Sequence, residues 1–149
     1  MTIKYAHTNL VARDWRNLSL FYRTVFECVP VPPQRRLSGS WLGEAIGVPG
    51  ASLEGEHLRL PGFGDEGPTL EIFSYAAMED RPAPRADRLG LCHLAFQVDD
   101  VAGVLTAVEA AGGRAVGRVT AAQVAGKGLL TFVYAADPEG NIVEIQSWT

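Results

Sequence analysis

Hydrophobic positions along this chain change period in the same order twice. The segment IKYAHTNLV (3–11) carries apolar side chains on both faces and reads as a strand. Asp14 then caps a helix, in which Leu18, Phe21, Tyr22, Val25 and Phe26 recur at i, i+3, i+4, i+7 and i+8, the spacing of one buried stripe. Pro30, Pro32 and Pro33 stop it. In the second half LCHLAFQV (91–98) is a strand and Asp99 or Asp100 caps a helix. Val101, Val104, Leu105 and Val108 form that helix's stripe, and Gly112-Gly113 ends it. Further extended stretches are expected near 51–60 and 128–135. Each half closes on a strand with one glutamate among apolar neighbours, TLEIFSY (69–75) and NIVEIQSW (141–148).

The two halves share a measure as well as a texture. His7 precedes Asp14 by seven residues, and His93 precedes Asp100 by seven. The histidine-to-glutamate separations are 71 − 7 = 64 and 144 − 93 = 51. A short helix and turn in SWLGEAIGVPGA (40–51), inserted only in the first half, absorbs the difference. The reading is an α+β fold made of one βαβββ module used twice within a single domain. Module one spans 1–77, a charged and proline-rich linker spans 78–88, and module two spans 89–149.

Alternation decides which side chains share a face. His7 sits with Tyr5 and Asn9; Glu71 with Thr69, Phe73 and Tyr75; His93 with Ala95 and Gln97; Glu144 with Ile142, Gln146 and Trp148. In all four strands the greasier face is the one without the ionisable group. The expected arrangement pairs the two modules into a curved mixed-sheet cup, with His7, Glu71, His93 and Glu144 on its polar wall. A half-buried carboxylate is costly unless paired or metal-bound. Two nitrogens and two oxygens leave two places for water in an octahedron. That set suits one divalent ion such as Ni²⁺, Co²⁺, Zn²⁺, Mn²⁺ or Fe²⁺ better than Ca²⁺. His57, outside the repeated pattern, is expected to be structural or exposed.

Composition narrows the function. The chain has 149 residues, 47% hydrophobic and 20% charged, the balance of a folded globular protein. A net charge of −4 disfavours nucleic acid and anionic membrane as partners. No stretch approaches the roughly 20 apolar residues of a membrane span. Cys28 and Cys92 are too few for a disulfide scaffold and show no CxxC spacing, so a reducing cytoplasm is the expected home.

HTNLVARDWRNLSLFYRTVF, TLEIFSY, GLCHLAFQVDDV and DPEGNIVEIQSW carry a resemblance to the vicinal oxygen chelate superfamily. That group includes glyoxalase I, methylmalonyl-CoA epimerase, extradiol dioxygenases, and fosfomycin and bleomycin resistance proteins. The resemblance covers nearly the whole chain. It implies a small substrate chelated through two adjacent oxygens and a glyoxalase-like lyase or isomerase moving a proton through an enediolate-type intermediate. Glu144 or Glu71 would serve as the base. It also implies a homodimer, with each site formed within one chain or between two. Two alternatives stand beside this reading. One is an extradiol-type dioxygenase using His7, His93 and Glu144, and the other a binding protein without turnover. Tyr5, Asn9, Phe73, Gln97, Gln146 and Trp148 are candidate substrate contacts, and Lys127, in the GKG turn, is a candidate partner for an anionic group. Bacterial glyoxalase I has an arginine four residues after its first histidine. Val11 stands there in this chain, which argues against a glutathione hemithioacetal substrate.

Overall fold

The computed structural model describes residues 1–149, and the chain divides into two compact units, Met1–Arg81 and Pro82–Thr149. The first contains β1 (His7–Val11), α1 (Trp15–Phe26), β2 (Val29–Ser38), α2 (Ser40–Ile46), β3 (Ser52–Arg59) and β4 (Thr69–Tyr75). Its open mixed sheet runs β1-β4-β3-β2, with β1 parallel to β4 and the other pairs antiparallel. The second contains β5 (His93–Gln97), α3 (Val101–Ala110), β6 (Arg114–Ala115), β7 (Thr120–Val124), β8 (Gly128–Ala136) and β9 (Ile142–Trp148). Its sheet runs β5-β9-β8-β6, with β7 also on β8 and β5 parallel to β9. The fold is α+β, and the parallel pairing of first and last strand recurs in both units.

The helices start where capping chemistry allows. Asp14 accepts a hydrogen bond from the Asn17 amide at 3.1 Å, and Asp100 one from the Gly103 amide at 2.9 Å. The first helix ends differently from the sequence expectation. Glu27 turns it off in a left-handed conformation at φ 56°, so the prolines do not terminate the helix but open β2. Two further expectations are corrected. β1 begins at His7 rather than at residue 3, which leaves Tyr5 exposed ahead of the strand, its hydroxyl bonded to Thr8. In the second unit two short strands, β6 and β7, take the place that β2 holds in the first.

One face of the first sheet lies under α1, which packs on β3 and β4. Leu18 and Tyr22 from the helix, and Leu58, Leu70 and Ile72 from the strands, are fully buried. Each such side chain contributes about 1.5–3 kcal/mol of transfer free energy. Ser19 reaches from α1 to hydrogen-bond the buried Glu56, so that carboxylate is not left bare. The opposite face is divided. Leu42 of α2, with Leu53, Phe73 and Ala51, makes an apolar cluster joined by Leu37 and Tyr75. A Cβ at Gly55 would stand 1.9 Å from the Ile72 carbonyl oxygen and 2.5 Å from the Phe73 ring, so only glycine fits there. The remainder of that face is polar. In the second unit α3 covers β8 and β9, and Val108, Val133, Val143 and Ile145 are its buried centre.

Candidate metal centre

Strand register assembles the polar face of the first unit row by row. His7 is opposite Thr69, which is opposite Arg59; Asn9 is opposite Glu71, which is opposite His57. Glu71 is the hub of this patch. Its Oε1 accepts a hydrogen bond from the Asn9 side-chain amide at 3.0 Å and lies 3.5 Å from His7 Nε2. Its Oε2 lies 2.6 Å from His57 Nε2. The remaining ring nitrogen of His57 meets the Thr69 hydroxyl at 2.8 Å, which fixes the ring's orientation. Ligand atoms of His7, His57 and Glu71 all fall within 4.8 Å of one another. Two imidazoles and a carboxylate at that separation suit a divalent transition metal.

His57, read from the sequence as structural or exposed, is half-buried and shares the face of Glu71. Burial holds its imidazole below the ordinary value, with Arg35 and His7 adding to the effect and Glu71 opposing it. A neutral imidazole is the form that ligates metal. The available signal was register rather than spacing, because an antiparallel neighbour directly across from the glutamate must share its face.

The second unit repeats the pattern with different company. His93 Nε2 lies 2.9 Å from Glu144 Oε2. Where the first unit has Asn9 and His57 on either side of its glutamate, the second has Ala95 and Tyr134. The His93 and Tyr134 rings are 4.8 Å apart. Burial lifts the Tyr134 phenol above its usual value, and the Glu144 charge adds to this. Gln97 and Gln146 face each other in register one row further on, and Gln146 Oε1 accepts from Trp148 Nε1 at 3.1 Å. The turn ahead of β9 is held by the Asp137 carboxylate, which takes hydrogen bonds from the Glu139 and Asn141 amides and the Asn141 side chain. Gly140 there has φ 87°. This anchored turn sets the register that brings Glu144 onto the His93 side.

The other candidates are placed as follows. Phe73 is buried in the apolar cluster beneath α2, its ring centroid 6.3 Å from that of His57. Lys127 lies exposed in the turn between β7 and β8. A cavity of about 440 Å³ lined by Arg13, Trp15, Arg16, Glu54, Ser74 and others opens beside the start of α1 and includes no histidine.

A glyoxalase-like domain model matches residues 7–145 of the chain. The chain belongs to the glyoxalase-like family. A glyoxalase family protein from Bacillus cereus has the same fold, with a TM-score of 0.83 at 16% identity over 99% of this chain and 95% of that one. A glyoxalase/bleomycin resistance protein/dioxygenase family enzyme from Burkholderia phytofirmans scores 0.63 at 17% identity, covering 97% and 98%. A fosfomycin resistance protein from Listeria monocytogenes, solved with Mn(II) and sulfate, scores 0.56 at 14% identity, covering 100% and 95%. No curated protein sequence is a significant match. The family match over residues 7–145 places the glyoxalase-like chain in the vicinal oxygen chelate superfamily, as its sequence resemblance implied, and the solved structures share its fold. No helix of this glyoxalase-like protein is long and apolar enough to cross a membrane.

Proposed function

We propose that the protein is a metal-dependent lyase or isomerase of the glyoxalase kind, moving a proton on a small substrate held through two adjacent oxygens. The observation that carries this reading is the histidine–glutamate contact made once in each unit, His7 with Glu71 and His93 with Glu144. Two imidazoles and two carboxylates are a donor set that fits one divalent ion of the Ni, Co, Zn, Mn or Fe group. In this proposal His7, Glu71, His93 and Glu144 would hold it. Mn²⁺ is the first ion to try, since the Listeria fosfomycin resistance protein was solved with it. When bound, such an ion supplies Lewis-acid stabilisation of negative charge on chelated oxygens.

Glu144 is the proton carrier in this reading. Both oxygens of Glu71 are engaged, Oε1 with Asn9 and His7, Oε2 with His57. Glu144 meets His93 through Oε2 alone, so Oε1 is left to take a proton from carbon. Glu71 is then a positioned ligand. Asn9, Gln97, Gln146 and Trp148 are proposed substrate contacts on the two polar faces. A homodimer is proposed as well, because β1 and β5 each leave one edge of their sheet with unpaired backbone groups.

His57 favours a second reading. With His7 and Glu71 it makes a two-histidine, one-carboxylate set within the first unit, the donor type of non-haem iron oxygenases. One experiment separates the two. The purified protein is analysed for metal, then assayed with and without oxygen against α-hydroxy-carbonyl, acyl-CoA and catechol substrates. Anaerobic turnover with Mn²⁺, Ni²⁺ or Co²⁺ supports proton transfer. Turnover of a catechol only with Fe²⁺ and consumed oxygen overturns it.

A further inference from the structure

The third row of the first unit's polar face holds a cation that the proposed chemistry does not use. Arg35 on β2 is opposite Gly55, which neighbours His57 on the same face of β3 and stands opposite Phe73. Between Val31, opposite His57, and Arg35 the strand carries three residues against a single one on β3. Two extra residues leave the alternation intact, so Arg35 returns to the His57 side. Its partner Gly55 brings no side chain to that face, and Phe73 supplies an apolar wall beside it.

Arg35 is half-buried and makes no ion pair. The only other half-buried arginine, Arg59, is neutralised by Asp65 at 2.6 Å. Arg36, on the opposite face, is paired with Glu54 at 2.9 Å. Arg35 gives one N–H to the Pro33 carbonyl and keeps the rest of its five donors and its whole charge. That charge is felt at His57, where it helps hold the imidazole low.

We propose that Arg35 anchors an oxyanion of the substrate beside the His7–His57–Glu71 cluster, so that the site takes anionic molecules bearing adjacent oxygen donors. This rests on the metal-chelate reading and narrows its substrate class to carboxylates, phosphonates or phosphates. The guanidinium fork matches two oxygens of any of these through parallel, charge-assisted hydrogen bonds. An apolar neighbour strengthens them by lowering the local dielectric.

The test uses hydroxamates, which chelate through two adjacent oxygens, titrated calorimetrically into the Mn²⁺-loaded protein. Acetohydroxamate is compared with N-hydroxysuccinamate, which adds a carboxylate, and with phosphonoacetohydroxamate, which adds a phosphonate. The expected result is a preference of roughly ten- to hundredfold for an anionic chelator, the value of a charge-assisted contact. The favoured one identifies the oxyanion. Arg35→Gln should erase the preference while metal content and acetohydroxamate affinity stay unchanged. An unaltered preference in Arg35→Gln, or none in the native protein, overturns the proposal. If the protein takes up no metal, the metal reading fails by itself, and succinate and methylphosphonate are titrated into the metal-free protein. Weaker binding in Arg35→Gln but not in Arg36→Gln then sustains the anion site, and equal binding in all three proteins overturns it.

Discussion

His57 Nε2 lies 2.6 Å from Glu71 Oε2 while its Nδ1 meets the Thr69 hydroxyl, so one imidazole ties together two residues of the neighbouring strand. Under the four-ligand reading His57 orients Glu71 rather than ligating. His57→Gln should then weaken metal binding roughly ten- to hundredfold, as loss of a ligand's supporting hydrogen bond does, with stoichiometry kept at one. His7→Ala should abolish tight binding. Competition against a fluorescent chelator reads both. Complete loss of the ion in His57→Gln, with His93→Ala unaffected, would instead establish the three-donor site of the first unit.

The same imidazole gives the metal-free protein a pH dependence. Its folded pKa lies below the ordinary 6.5, so the unfolded chain takes up the proton first as pH falls through that value. The stability is present above 6.5 and is lost progressively below it. Urea melts at stepped pH should show this slope in the native chain and a shallower one in His57→Gln.

Glu144 and Glu71 should separate kinetically. Glu144→Gln is expected to cost roughly 10²–10⁴ in rate, the range for removing a general base, and far less in metal affinity. Glu71→Gln should cost metal affinity first. Deuterium exchange at the substrate α-carbon, followed by NMR, is the direct readout. Undiminished exchange in Glu144→Gln would remove it as the base.

The two cysteines should behave oppositely. Burial pushes the Cys28 thiol up to about 12, whereas Cys92 is half-exposed. A thiol reagent at pH 8 should label one cysteine in the native protein and two in denaturant. Since the unfolded Cys28 ionises near 9.0, stability held below that pH should fall between 9 and 12, at up to about 1.4 kcal/mol per pH unit. Cys28→Val should remove that slope.

A mixed-chain experiment addresses assembly. Glu71→Ala and Glu144→Ala chains, each inactive alone, regain activity on mixing if a site draws its ligands from two chains. Sedimentation at micromolar concentration tests the dimer itself, and a monomer that retains its metal would exclude it.

Much of this fold was readable because alternation and the 3.6 period are strong where one face is buried. Leu18, Tyr22 and Phe26 announced α1, and the greasy faces around Ile72 and Ile145 implied the polar faces bearing Glu71 and Glu144. The failures have physical causes. Alternation at Tyr5 continues past the last residue that β4 can pair, so the strand is shorter than its pattern. β2 was hidden because prolines read as breakers. His57 was hidden because the connections before the two glutamate strands differ, residues 60–68 against 137–141. Equivalent positions 57 and 134 therefore stand at unequal distances, 71 − 57 = 14 and 144 − 134 = 10, and carry different residues. Pairing, which relates distant segments, recovers what spacing along the chain conceals.

The prolines of β2 have a consequence for how molecules of this protein meet each other. β2 is the outermost strand of its sheet, and Pro30, Pro32 and Pro33 stand at its beginning. None has an amide hydrogen to offer an incoming strand, and the irregular stretch holding Pro32 and Pro33 departs from the straight ladder that a growing fibril copies. The residues that look like a stop signal thus act as a guard against self-templating. Restoring amides there would make a concentrated solution of the protein more prone to cross-β deposition.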